Sequence, residues 1–152
     1  MFTLETETRI TAPLAEVWPF FCDARNLERL TPSFLRFEVL TPDPIEMHVG
    51  TRIDYKLKVR GVPLRWQSEI TAWEPPYRFV DEQRRGPYRV WIHEHTFEEA
   101  GNNTIARDHV RYDHIGGRLV NALMVGPDVR RIFAYREKAL QEIFGVAGRQ
   151  GA

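Results

Sequence analysis

The chain has one cysteine, Cys22, in 152 residues, so no internal disulfide is available and stability must come from packing. It has no excess of either charge: Lys plus Arg is 21 and Asp plus Glu is 21. That balance removes the general electrostatic reason for binding nucleic acid or an anionic membrane. No apolar run approaches membrane-spanning length, so no integral membrane association is expected. The first residues, Met1-Phe2-Thr3-Leu4-Glu5-Thr6-Glu7, lack the basic and apolar regions of a signal peptide. A cytoplasmic, reduced setting is the expectation, with Cys22 packed as a small hydrophobe. A Gly-rich phosphate loop, a Cys-x-x-Cys pair and a serine nucleophile elbow are all missing, and the glycines fall where turns are expected.

What the chain does have is aromatic residues: four Trp, five Tyr and nine Phe, 12% of the whole. Its length suits a single domain, 1–152, with a sizeable core. Phe2, Leu4, Thr6, Thr8 and Ile10 alternate with Thr3, Glu5, Glu7 and Arg9, the pattern of a half-buried strand. Pro13 then opens a helix, where its missing N–H is harmless. Leu14, Val17, Trp18 and Phe21 form its apolar stripe, and Pro19 bends or shortens it. Asp23 is placed to cap a second short helix over 24–30, closed by Thr31-Pro32.

Strand patterns follow at 34–40, 51–60, 64–73, 77–83, 86–98 and 104–114. Gly61-Val62-Pro63, Pro75-Pro76, Gly86-Pro87 and Gly101-Asn102-Asn103 serve as the breaks. Close spacing and short loops predict an antiparallel meander. Beyond Gly116-Gly117 the pattern turns helical, with an interruption expected at Gly126-Pro127. Val129, Ile132, Phe133, Arg136, Leu140, Ile143 and Phe144 then recur at helical spacing. The tail 145–152 is expected to fray. A long helix over a curved sheet, with two short helices at one end, cannot follow the sheet closely, so an elongated cavity is expected between them.

The stretch 86–98 carries the most chemistry. Arg89, Trp91, His93, His95 and Phe97 share one strand face, with the two imidazoles about 7 Å apart. Asp81, in phase with Phe79 and Gln83, is a candidate partner, as is Asp108, in phase with Thr104, Ala106, Val110 and Tyr112. Either carboxylate can orient an imidazole through Nδ1–H and raise its pKa; the alternative is a structural or solvent-facing ion pair. Tyr112 can supply a phenolic donor. Arg136 falls on the apolar stripe of the last helix and cannot shed its charge. It must therefore meet a carboxylate, clamp an anionic ligand group, or snorkel past the sheet edge. Trp18, Trp66, Trp91, Tyr55 and Phe133 are candidate aromatic lining. His48, His109 and His114 are placed at strand ends or loops and given no role.

Ile10-Thr11-Ala12-Pro13-Leu14-Ala15-Glu16-Val17-Trp18 is similar to the I-x-A-P-x-x-x-V-W entry into the first helix of the START-like superfamily, also called SRPBCC or helix-grip proteins. Gly61-Val62-Pro63-Leu64-Arg65-Trp66, the segment from Ile70 to Gln83 and the segment from Gly86 to Phe97 add to the resemblance, which spans about residues 2–146. Within that superfamily the chain looks most like bacterial polyketide cyclase/dehydratase-like ligand-binding proteins. The resemblance implies an α+β helix-grip fold: a curved antiparallel sheet of about seven strands, two short helices and a long C-terminal helix over an internal cavity. It does not imply a reaction.

His93-x-His95 followed by Glu99 is also similar to half of a cupin metal motif. The spacing from Gly86 is one residue long, the second half is missing, and the long final helix does not suit a cupin barrel. No metal or cofactor is assigned. Three functions remain. The first is binding or transport of a hydrophobic small molecule (a lipid, quinone or polyketide) by Trp66, Asp81, Trp91, His93, His95, Tyr112 and Arg136. The second is a cyclase/dehydratase-type enzyme with His93, His95 or Asp108 as catalytic candidates and Arg136 as oxyanion partner. The third is a structural or partner-binding domain. A monomer or homodimer is expected.

Overall fold

The computed structural model describes residues 1–145; most of the segment expected to fray, 146–152, lies outside the described residues. The order is β1 (Phe2–Ile10), α1 (Leu14–Phe21), two 3-10 turns (Ala24–Leu30 and Ser33–Leu35), β2 (Glu38–Val39), β3 (Arg52–Val59), β4 (Val62–Glu74), β5 (Arg78–Arg85), β6 (Val90–Ala100) and β7 (Asn103–Asp113). A helical run follows: α2 (Gly117–Val120), a π-turn (Asn121–Val125), α3 (Gly126–Leu140) and a second π-turn (Gln141–Gly145). The seven strands form one sheet in the order β1-β7-β6-β5-β4-β3-β2. All neighbours are antiparallel. This is the expected helix-grip architecture.

The meander from β2 to β7 follows from short loops. The β1–β7 pairing, with Phe2 opposite Tyr112 and Ile10 opposite Thr104, is long-range and adds β1 as an edge strand. Inward Thr8 and Ile10 are buried while Glu5, Glu7 and Arg9 are exposed, as the alternation requires. In α1, Leu14, Val17 and Phe21 are buried, and the helix is only 8 residues long with Pro19 inside. Asp23 caps the next element by accepting from the backbone N–H of Arg25 at 3.0 Å, but the element is 3-10 rather than α.

Several boundaries differ from expectation, among them the start of the 86–98 strand, which begins at Val90. The run 34–40 is not one strand, because Arg36 takes a left-handed conformation (φ 50°) that breaks the extended chain. Only Glu38–Val39 pairs with β3, and the Val39 N–H donates to Glu28 Oε1 at 2.9 Å. The expected Gly61-Val62-Pro63 turn is the tighter pair Arg60-Gly61, both at positive φ, with Val59 opposite Val62. Pro63 is tolerated inside β4 because β5 pairing begins only at Gln67, so its missing N–H costs no ladder bond on that side.

Gly126-Pro127 does not interrupt the last helix. The Gly126 N–H reaches back five residues to the Asn121 carbonyl. This wider turn spares Pro127 the clash that its ring makes with an α-helical carbonyl four residues back.

The interior holds three apolar clusters. Ile10, Val17, Phe21, Phe97 and Leu140 lie in the first, Val39, Ile53 and Tyr55 in the second, and Val110, Tyr112, Val129 and Phe133 in the third. Each fully buried large side chain contributes about 1.5–3 kcal/mol.

A Cβ on Gly126 would stand 2.7 Å from the Asn121 carbonyl oxygen. Gly126→Ala gains about 1 kcal/mol of helix propensity against about 1–3 kcal/mol of overpacking. The expected outcome is a lower urea midpoint with an unchanged slope, and a raised midpoint would count against the tight turn.

Candidate functional site

Strand register brings the polar residues together. His93 stands opposite Asp81 on β5 and Val110 on β7, and His95 stands opposite Phe79 and Asp108. Arg136 descends on them from the buried stripe of α3. His93, His95, Asp108 and Arg136 are all buried, His95 to 2% exposure and Arg136 to 7%. Arg89 is not part of the row: it is exposed and precedes the strand.

The two carboxylate–imidazole pairs form at Nε2, not at the expected Nδ1. His93 Nε2–H donates to Asp108 Oδ1 at 2.7 Å, and His95 Nε2–H donates to Asp81 Oδ2 at 2.6 Å. Arg136 Nη2 donates to His95 Nδ1 at 3.3 Å and stands 3.4 Å from Asp108 Oδ1. Thr6, brought in by the β1–β7 pairing, donates to Asp108 Oδ2 at 3.1 Å. His95 therefore has a donor on one ring nitrogen and an acceptor on the other, which is the neutral imidazole. His93 Nδ1 has no hydrogen-bond partner among the described residues; the nearest Asp81 oxygen is 3.8 Å away. Arg136 Nε is buried without an acceptor.

The rings lean together far more closely than their spacing along the strand implies. The His93 and His95 centroids are 3.6 Å apart with planes at 25°, and Phe79 stacks on the far face of the pair at 3.9 Å from His95. This bears on metal binding. Ligand atoms of Asp81, His93 and His95 lie within 4.8 Å of one another, but imidazole lone pairs lie in the ring plane. Two nearly parallel rings cannot both aim at one ion, and the Asp81 oxygen is already engaged by His95. The arrangement suits hydrogen bonding and not coordination.

Burial opposes charge on Asp108, yet the Arg136 charge and the His93 hydrogen bond hold its carboxyl well below the usual range. Asp81 is also lowered: burial pushes it up, and the His95 hydrogen bond with the attraction of His93, His95 and Arg136 outweighs that. His95 moves opposite to the sequence expectation. Burial first, then repulsion by His93 and Arg136, outweigh Asp81 and push it down from 6.5 to about 4.

Between sheet and helix lies a cavity of 170 Å³, with Trp66, Asp81, Trp91, His93, His95 and Arg136 on its wall. Tyr55 and Phe133 also line it. Asp108 is not among the lining residues and braces His93 and Arg136 from behind. Tyr112 is not among them either: its hydroxyl donates to Asn121 Oδ1 at 3.0 Å and its ring packs with Phe2 and Trp91. Trp18 belongs to the first apolar cluster, against Trp73 and Phe97. His109 lies in the middle of β7 rather than at an end. Ser68, which the sequence did not single out, is buried on the cavity wall and accepts from Trp66 Nε1 at 3.0 Å; its place in strand phase with Trp66 was the available signal.

The family model described as polyketide cyclase / dehydrase and lipid transport matches residues 10–139. The chain belongs to that family. No curated protein matches it, but many solved structures share its fold. A Mycobacterium smegmatis protein is 20% identical over 95% of this chain and 92% of its own, with a TM-score of 0.71. A Chromobacterium violaceum protein is 16% identical over 95% and 98%, at 0.74. Ginseng major latex-like protein, from Panax ginseng, is 10% identical over 94% and 97%, at 0.70. At such identities the likeness extends to the fold alone. Fold and family are those of proteins suited to apolar ligands, and this polyketide cyclase/dehydrase family member adds a buried His/His/Asp cluster. Among its described residues no helix is long and apolar enough to cross a membrane.

The lowered value of His95 has a definite sign. Between about 4 and 6.5 the unfolded chain binds a proton that the folded one refuses. Its stabilising contribution is complete above that window and is lost as pH falls through it. Asp81 and Asp108, held below their usual values, add their losses only at lower pH. Wild type should lose a few kcal/mol across the window in urea titrations, and His95→Gln should flatten that slope. An equal slope in both proteins would contradict the neutral imidazole.

Proposed function

We propose that the protein binds or carries a hydrophobic small molecule in the cavity, with the ligand's polar end at the His93–His95–Arg136 wall. The observation that carries this reading is the cavity's composition. Its wall is mostly apolar and aromatic, while Asp81, His93, His95 and Arg136 converge on one stretch of it. Such a combination is the usual form of a small-ligand site. His93 Nδ1 and Asp81 are the polar atoms left for a ligand, with Asp108 and Thr6 holding the cluster rigid from behind. An outer hollow of 460 Å³, bordered by exposed Phe34, shares Leu35, Leu57 and Ile132 with the inner cavity, and we take it as the ligand's entry route. The Arg60–Asp128 ion pair, at 3.1 Å, joins the β3–β4 turn to α3 beside it. A cytoplasmic monomer or homodimer without a cofactor belongs to the same reading.

One observation favours a second reading, a cyclase/dehydratase-type enzyme. His93 holds a carboxylate on one nitrogen and leaves the other unpartnered toward Asp81, the form a general base takes. In that case His93→Gln should abolish turnover of a bound carbonyl compound while keeping its affinity, and a carrier would show no turnover in either protein.

Leu27 lines the cavity and is half-buried, so a larger residue there should fill the space without collapsing the core. The neutral probe N-phenyl-1-naphthylamine should bind wild type with enhanced fluorescence and bind Leu27→Trp about tenfold more weakly at an unchanged Tm. Equal binding by both would overturn the cavity as the site.

A further inference from the structure

Charge balance narrows the ligand class. This step rests on the cavity being the binding site. The cluster contains two carboxylates, half-buried Asp81 and buried Asp108, and one buried guanidinium, Arg136. Both carboxylates are ionised at neutral pH. Arg136 spends its charge on Asp108, at 3.4 Å, and its planar group lies over the rings of Phe21 and Phe133. Asp81 has no such partner. Among the described residues no Lys or Arg nitrogen comes within 4.0 Å of it, and its one hydrogen bond comes from an imidazole that is neutral because it also accepts from Arg136.

The groups facing Asp81 are known from every neighbouring strand and helix. They are His93 and His95 on β6, Arg136 beyond His95 on α3, Asp108 on β7, and Tyr55 on β3. The Tyr55 hydroxyl is held protonated by burial and by Asp81 itself. Two carboxylates thus stand against one guanidinium, and Asp81, the carboxylate with no guanidinium or ammonium beside it, is the one on the cavity side. A ligand carboxylate or enolate would add a third negative charge against one guanidinium in a water-poor site, where like charges repel strongly. That argues against an anion clamp at Arg136. A cation does the opposite. It would neutralise Asp81, and the faces of Tyr55, Trp66, Trp91 and Phe133 offer it the electron-rich surface on which ammonium groups rest.

We infer that the preferred ligand is an apolar molecule bearing a protonated amine, with the ammonium seated on Asp81 among the cavity aromatics.

The test uses the full chain and three naphthalenes of one skeleton: 2-naphthylmethylamine, 2-naphthalenemethanol and 2-naphthoate, titrated by calorimetry and Trp fluorescence at neutral pH. The amine should bind about tenfold more tightly than the alcohol, and the carboxylate should bind most weakly. In Asp81→Asn the amine's advantage should vanish, with a retained circular dichroism spectrum and a cooperative thermal transition showing that the variant is folded. If Asp81→Asn does not fold, salt and pH titrations of wild type replace it. The amine's advantage should then shrink as salt rises, and vanish at alkaline pH as the ligand's ammonium loses its proton. Alcohol binding without amine preference, or preference for the carboxylate, would overturn this inference and leave the cavity reading standing. Failure of all three probes would overturn both.

Discussion

The organisation of the interior depends on one buried ion pair, Arg136 with Asp108. A guanidinium on the buried stripe of α3 cannot lose its proton, so the helix can dock only where a carboxylate waits. β7 supplies it, and β1 steadies the carboxylate through Thr6. The pair thereby fixes how α3 sits over β6 and β7 and sets the tautomer of His95. A buried pair of this kind contributes little net stability after desolvation. Breaking it is another matter, since a lone buried charge is left behind at a cost of about 3–5 kcal/mol.

The same pair keeps the interior from becoming one continuous apolar mass. The clusters around Val17, Ile53 and Val110 meet around a polar wall. The stacked Phe79, His95 and His93 rings run along that wall like a short column. Stacking gives the imidazoles an apolar support on their faces, while their edges carry the hydrogen bonds. Protonating either ring would place a charge inside the column, which is why burial and Arg136 act together on His95.

Much of this was legible in the residues. Period-two alternation placed His93, His95 and Phe97 on one buried face and Asp108, Val110 and Tyr112 on another, because a strand leaves a side chain no third choice. The helical stripe that placed Arg136 inside also read correctly. What could not be read was anything set by side-chain rotation or by a single backbone torsion. Strand phase permits Nδ1 or Nε2 contact with equal ease, and it does not tell a face that lines a cavity from one that packs against a helix, the distinction that separates Tyr112 from Trp91. The left-handed Arg36 cut a strand that alternation had extended through 34–40. The approach of β1 to β7 spans the whole chain, so Thr6 carried no local sign of its role.

The π-turn at Asn121–Val125 has its own geometric result. Leu119, Gly126, Phe133 and Leu140 are spaced by seven, and Ala122 shares that spacing with Val129 and Arg136. In an unbroken α-helix all would lie close to one face. The extra residue in the wide turn advances the winding by roughly 100°. The later residues keep the inward side, while Leu119 is carried out to 70% exposure. The turn thus acts as a phase shifter within one helix. If it tightened to ordinary α winding, the leading segment would rotate about its own axis and sweep Leu119 toward the sheet, with no hinge between the parts.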